Sequence, residues 1–164
     1  MSRRLAALAL ATLISAACDD AAPRFVRAPA DSAAGEIRFR LAGFNDAALL
    51  VPVHINGAGP FDFVLDTGAT LTCVDAALLD RLGIEPDAGR LGRGMDVTSP
   101  GSVQLLRIDS LRVGDALAAD LGGCVLDLAH IQDAGLDVHG LLGLNFLKEF
   151  RVVLDFEREV LLLR

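Results

Sequence analysis

The octapeptide Phe63 to Thr70, FVLDTGAT, delivers a carboxylate to the end of an apolar run and then turns the chain at once. Phe61, Phe63 and Leu65 alternate with Asp62, Val64 and Asp66. That period of two predicts a strand with one wholly apolar face and another that is polar only at its ends. Thr67, Gly68 and Ala69 follow. Gly68 has no Cβ, so it permits a tight turn with another backbone or a ligand close by. Taken alone, Asp-Thr-Gly also suits an ordinary strand-end turn, because Asp and Gly are common turn formers. The feature that points beyond a turn is the position of the acid, at a strand terminus where chemistry can reach it.

The neighbourhood narrows the choice. FVLDTGAT resembles the active-site signature of aspartic proteases, in which an apolar run precedes Asp-Thr/Ser-Gly-Ala/Ser. Further on, Gly140 to Leu147 reads GLLGLNFL. It resembles the second signature of that family, with the apolar pair Leu141 and Leu142, then Gly143, then a short helix. Asp-Thr-Gly occurs once, so the resemblance is to the single-lobed, retroviral-type (retropepsin-like) proteases and their bacterial relatives, over residues 36–164. The fold this implies is mainly β, a single-lobe acid protease barrel with one or two short helices. The activity it implies is peptide-bond hydrolysis by a water activated between two Asp66 carboxylates of a homodimer, with no cofactor. Thr67 hydroxyls would brace the two loops, Gly68 carbonyls and amides would line the cleft, and Ala69 completes the active-site loop. A second class stays open: the same fold binding peptide or envelope components without cleaving them, with Asp-Thr-Gly kept for fold or dimer packing. A third is an adhesin-like or assembly β-barrel in which the tripeptide is coincidental.

The family's closing hairpin, the flap, is assigned to residues 88–104, where Gly89, Gly92 and Gly94 fall within seven residues, with Gly92, Arg93 and Gly94 as its tip. A lid of this kind excludes water and clamps substrate. The viral members carry an Asp where Thr70 stands and an Arg where Leu144 stands, and those two pair. Both are absent here.

With 164 residues, 52% of them apolar, the chain can bury one domain's core. A net charge of −7 argues against nucleic acid as a partner. Residues 1–18 carry an export pattern: Ser2-Arg3-Arg4, an apolar run from Leu5 to Ile14 too short to span a bilayer, and the small residues Ser15-Ala16-Ala17. Cys18 follows directly and resembles the lipidated cysteine of a bacterial lipoprotein, although Ser15 stands where leucine is usual. The expectation is an exported protein of the cell envelope, on the periplasmic side of a bacterial membrane through a lipid anchor on Cys18, with plain cleavage nearby as the alternative. Residues 19–35 mix Ala, Pro, Asp and Ser without periodicity and read as a flexible tether.

Within 36–164, strands are predicted over 37–41 and 49–55, with a turn at 56–60 leading into the strand that ends at Asp66. Leu71–Val74 reads as a strand and Asp75–Leu82 as a helix, with Asp75 its N-cap, Gly83 its stop and Leu78, Leu79 and Leu82 its buried stripe. Strands follow over 105–113, 116–121 and 124–128. Gly143, Phe146, Leu147 and Phe150 recur at helical spacing, and a hairpin around 157–159 ends the chain. Val-Leu-Asp recurs at Asp127 and Asp155 without Thr-Gly, so neither is taken as catalytic. His54 alternates with Val53 and Ile55 and is expected to face solvent. His130 and His139 have no third ligand in any zinc pattern, so no metal site is expected. With Cys18 set aside, Cys73 and Cys124 remain as an even pair, either a disulfide or two buried thiols.

Overall fold

The computed structural model describes residues 22–27, 35–87, 91–95 and 100–164. Cys18 and the export segment lie outside them. The strands are β1 (Phe25–Arg27), β2 (Glu36–Arg38), β3 (Arg40–Ala42), β4 (Ala48–Ile55), β5 (Ala58–Leu65), β6 (Thr72–Asp75), β7 (Leu91–Met95), β8 (Pro100–Val113), β9 (Ala116–Leu126), β10 (Gly140–Leu142), β11 (Val152–Asp155) and β12 (Val160–Leu163). Three one-turn helices, α1 (Leu79–Leu82), α2 (Ala129–Asp133) and α3 (Leu144–Leu147), punctuate them.

Six strands close on themselves in the order β9-β6-β10-β5-β4-β8, because β8 pairs back onto β9. Closure covers only part of each strand, and the stretch of β9 that β6 does not reach takes β1. The alternation along β4 and β5 explains the core. Val51, Val53, Ile55, Phe61 and Phe63 point inward and are buried with Ile108, Leu111, Leu121, Leu142 and Phe146. Leu50, on the opposite face of β4, joins a smaller cluster with Leu128 and Val138, which Val64, Ile131 and Leu136 flank. A separate three-stranded sheet, β11-β12-β2, brings the chain end against residues 36–38.

Four expectations need correction. The stretches 116–121 and 124–128 are not two strands but the single strand β9, which ends at Leu126, because Gly122 and Gly123 pair within the ladder instead of breaking it. A Cβ on Gly123 would stand 2.8 Å from the Thr72 carbonyl oxygen, so glycine serves close strand approach here. The second correction concerns the tether, since Phe25–Arg27 pairs antiparallel with Leu117–Ala119. Val26 packs on the core and Arg24 is ion-paired to Asp120 at 2.7 Å. Asp120 also accepts hydrogen bonds from Arg107, which ties β1 to both β8 and β9. The third concerns Gly92, Arg93 and Gly94, which form no tip. They pair with Val103, Ser102 and Gly101 inside the β7–β8 hairpin, and the connection at 96–99 lies outside the described residues. Finally, Asp75 precedes a 3-10 turn at Ala76–Leu78 but makes no side-chain cap. Its buried carboxylate instead accepts from the Leu128 N–H (3.3 Å) and from Gln132 Nε2 (2.8 Å). Gly83 does end α1, at φ 63°.

Cys73 and Cys124 stand directly opposite each other in the parallel β6–β9 pair, with Cα atoms 4.4 Å apart, and are joined as a disulfide. Their sequence separation is 51 residues. On the chain-entropy account, a cross-link of that span stabilises the folded state by about 4 kcal/mol. The oxidised protein is therefore expected to unfold at a clearly higher urea concentration than a Cys73→Ala, Cys124→Ala double variant. Coincident midpoints would show that the bond adds nothing to stability.

Candidate active site

Three strand ends meet where the octapeptide turns. β5 ends at Leu65, β10 runs parallel to it with Leu142 beside Leu65, and β6 starts from the same end, with Cys73 beside Leu141. Asp66 is clamped into this junction by its own N–H, which donates to the Leu142 carbonyl at 3.1 Å. Its carboxylate turns back on the loop. Oδ1 accepts the N–H of Gly68 at 2.8 Å and of Ala69 at 3.2 Å, while Oδ2 makes no hydrogen bond among the described residues. Asp66 is partly exposed, and Thr67, Gly68 and Thr70 are exposed beside it. One carboxylate oxygen is thus fixed by backbone donors, and the other is presented outward.

The second signature supports this loop from behind. The N–H of Leu144 donates to the Ala69 carbonyl at 2.8 Å, and that of Asn145 donates to Thr70 at 3.1 Å. A Cβ on Gly143 would collide with the Leu71 carbonyl, so only glycine lets the two loops lie this close. Sequence reasoning passed over the polar lock between them. Thr72 is fully buried and Asn145 is 4% exposed. Asn145 Oδ1 accepts from the Thr72 N–H (2.8 Å) and the Thr72 hydroxyl (3.0 Å), and its Nδ2 donates to the Gly122 carbonyl (2.6 Å). Thr72 Oγ1 in turn accepts the Gly143 N–H at 3.2 Å. Asn145 sat in plain view beside the apolar residues of GLLGLNFL. Its only sequence signal was a polar residue where the neighbouring helix positions are buried.

The other polar residues stand apart from this junction. Asp127 caps its own turn, accepting the Ala129 N–H, and Asp155 accepts the Arg158 N–H in the β11–β12 turn. His54 is half-buried on β4, not solvent-facing, and among the described residues its Nδ1 has no hydrogen-bond partner. Burial, and then the Arg112 guanidinium, hold its imidazole below the usual histidine range. His139 precedes β10 with a similarly unpartnered Nδ1 against the Phe61 ring, and His130 is exposed on α2. Among the described residues, no three His, Cys, Asp or Glu side chains converge.

The comparisons fit this geometry. Residues 51–146 match the family described as aspartyl protease. A retropepsin-like aspartic protease from Rickettsia conorii shares the fold at a TM-score of 0.56 and 22% identity, over 79% of this chain and 89% of that one. The retroviral protease-like domain of Ddi1 from Leishmania major aligns at a TM-score of 0.46 and 19% identity, over 71% of this chain and 87% of that one. No curated protein matches. The family match spans more than half of the chain and takes in both Asp66 and Gly143, so the chain belongs to the aspartyl proteases, in their single-lobe retropepsin-like form.

Proposed function

We propose that the chain is an aspartic endopeptidase that cleaves peptide or protein substrates as a C2 homodimer. The observation that carries this reading is the state of Asp66, a carboxylate held by two backbone N–H groups, whose second oxygen makes no hydrogen bond among the described residues. Hydrolysis by acids alone takes two carboxylates sharing one proton. One removes a proton from water as the water oxygen bonds to the scissile carbonyl carbon, while the other gives its proton to the carbonyl oxygen. The tetrahedral diol then collapses, the C–N bond breaks, and the nitrogen leaves with a proton from the dyad. Two like charges about 3 Å apart do not both ionise, so the pair titrates as a unit. A two-fold axis beside Asp66 supplies the missing member, and Thr67, exposed next to it, would brace the partner's loop.

The test is cleavage of a mixed peptide substrate over a series of protein concentrations. Activity per chain is expected to climb with concentration and level off where sedimentation shows the dimer complete. Constant activity per chain down to concentrations at which the protein is monomeric would sink the dimeric mechanism. A complete dimer with no cleavage would favour a peptide-binding module.

A further inference from the structure

Among the described residues, four large apolar side chains are conspicuously exposed: Phe25, Phe44, Leu144 and Phe156. Two of them bracket Asp66. β4 and β5 pair antiparallel with Leu50 opposite Val64, and the same register carried two residues further sets Ala48 opposite Asp66. The β3–β4 hairpin, whose tip is residues 43–47, therefore projects from the end of the barrel that carries the Asp66 loop. Phe44 stands on that tip at 88% exposure. Leu144, 39% exposed, lies on the other side, where its N–H holds Ala69. β5 sits between β4 and β10 in the barrel, so Asp66 lies between the two apolar groups.

The hairpin is built to hold its aromatic outward. Gly43, Asn45 and Asp46 take φ of 82°, 54° and 55°. That left-handed region is one that Asn and Asp enter more readily than other residues with a side chain. Three such residues around Phe44 set a tight turn at Phe44–Asp46, inside which Asn45 departs from helical φ/ψ. The base is anchored, because Ala42 and Ala48 pack on the cluster of Leu50, Leu128 and Val138. Phe44 therefore offers an exposed apolar group at the end of the barrel that carries Asp66.

We propose that Phe44 and Leu144 form the apolar contact that seats a second copy of this chain over Asp66, the Phe44 ring of each protomer packing against the partner's Leu144. The proposal rests on the homodimer reading above and deepens it by naming what holds the pair. A two-fold axis that sets the two Asp66 residues side by side turns the β4 flank of one protomer toward the β10 flank of the other. The contact is then made twice, residue i meeting j and j meeting i. The full chain carries a net charge of −7, so two copies repel, and an apolar seat adds no like charge to that repulsion.

The experiment measures dimer dissociation by sedimentation, using the full chain with Asp66→Asn as the uncleaved parent. Phe44→Glu and Leu144→Glu are each expected to raise the dissociation constant on the order of 100-fold, since each change alters two symmetric contacts. Phe156→Glu, at a similarly exposed ring in the β11–β12 turn, is expected to leave it unchanged. Thermal unfolding of each variant checks the fold, and Phe44→Glu alone decides if Leu144→Glu fails to fold. The proposal is overturned by a Phe44→Glu dimer as tight as the parent's or by equal weakening from Phe156→Glu. It is also overturned by a monomeric parent that binds phosphatidylglycerol vesicles through Phe44. A Phe44-dependent dimer in a wild-type protein that cleaves nothing would refute the protease and leave the interface standing. Second-order cleavage with Phe44→Glu at full dimer strength would refute the interface and leave the protease.

Discussion

Asp66→Asn is expected to lower cleavage by at least about 10³-fold, the range that general acid–base groups contribute, while leaving fold and dimer in place. The substitution is chosen for its shape. Asn keeps an oxygen where Oδ1 accepts the N–H groups of Gly68 and Ala69, so the loop stays closed, and it replaces only the outward oxygen with an NH₂ that holds no transferable proton at working pH. Asp66→Ala would be a poorer probe, because it leaves both N–H groups without their acceptor and confuses lost chemistry with a loosened loop. Mixing wild type with the Asn variant sharpens the result. With equal amounts and free exchange, activity per wild-type chain should fall to about half, since mixed dimers hold one carboxylate. Retained activity in the variant would remove Asp66 from the chemistry. An unchanged rate in the mixture would mean that one carboxylate suffices, and the dyad would have to be abandoned.

Local patterns in the chain carried much of this far. The alternation from Phe61 to Asp66 translates directly into β5, because one face of that strand is buried and the other is not, and a period of two leaves little freedom in such a setting. Gly83 could be read as a helix stop because a left-handed residue after a helix is a local demand. What stayed hidden was settled by distant partners. Asp75 looks like an N-cap until Gln132 and the Leu128 N–H, more than fifty positions away, take its carboxylate. Gly122 and Gly123 look like a strand break until Thr72 arrives alongside and needs the space. The three glycines from 89 to 94 look like a turn, yet Gly94 pairs with Gly101 inside a ladder, a match no single-strand pattern announces. β1 is the same lesson in a weaker strand, since Phe-Val-Arg has no periodicity of its own and is ordered by Asp120 and the free edge of β9.

The lock that joins the two signatures should prove the most fragile part of the fold. Asn145→Ala removes the acceptor for the Thr72 N–H and hydroxyl and the donor to the Gly122 carbonyl, all in a region closed to water. A buried donor or acceptor left without a partner costs about 1–3 kcal/mol, so the variant is expected to lose about 3–5 kcal/mol. That is a large share of a typical domain's stability of about 5–15 kcal/mol. Asn145→Asp separates the two ends of the side chain. It keeps an acceptor for Thr72 but turns an oxygen toward the Gly122 carbonyl, so it too should destabilise, by repulsion where a hydrogen bond stood. Urea unfolding of Asn145→Ala, Thr72→Val and the double variant would measure the coupling, which should be strong because the two side chains share one network. An Ala variant within about 1 kcal/mol of wild type would show that water or a shifted backbone replaces the lost partners. Because Leu144 and Asn145 sit on the same turn, loss of this lock should also loosen the apolar seat beside Asp66. Asn145→Ala would then weaken the dimer at temperatures where the monomer is still folded, whereas Asp66→Asn would leave the dimer intact and remove only the chemistry.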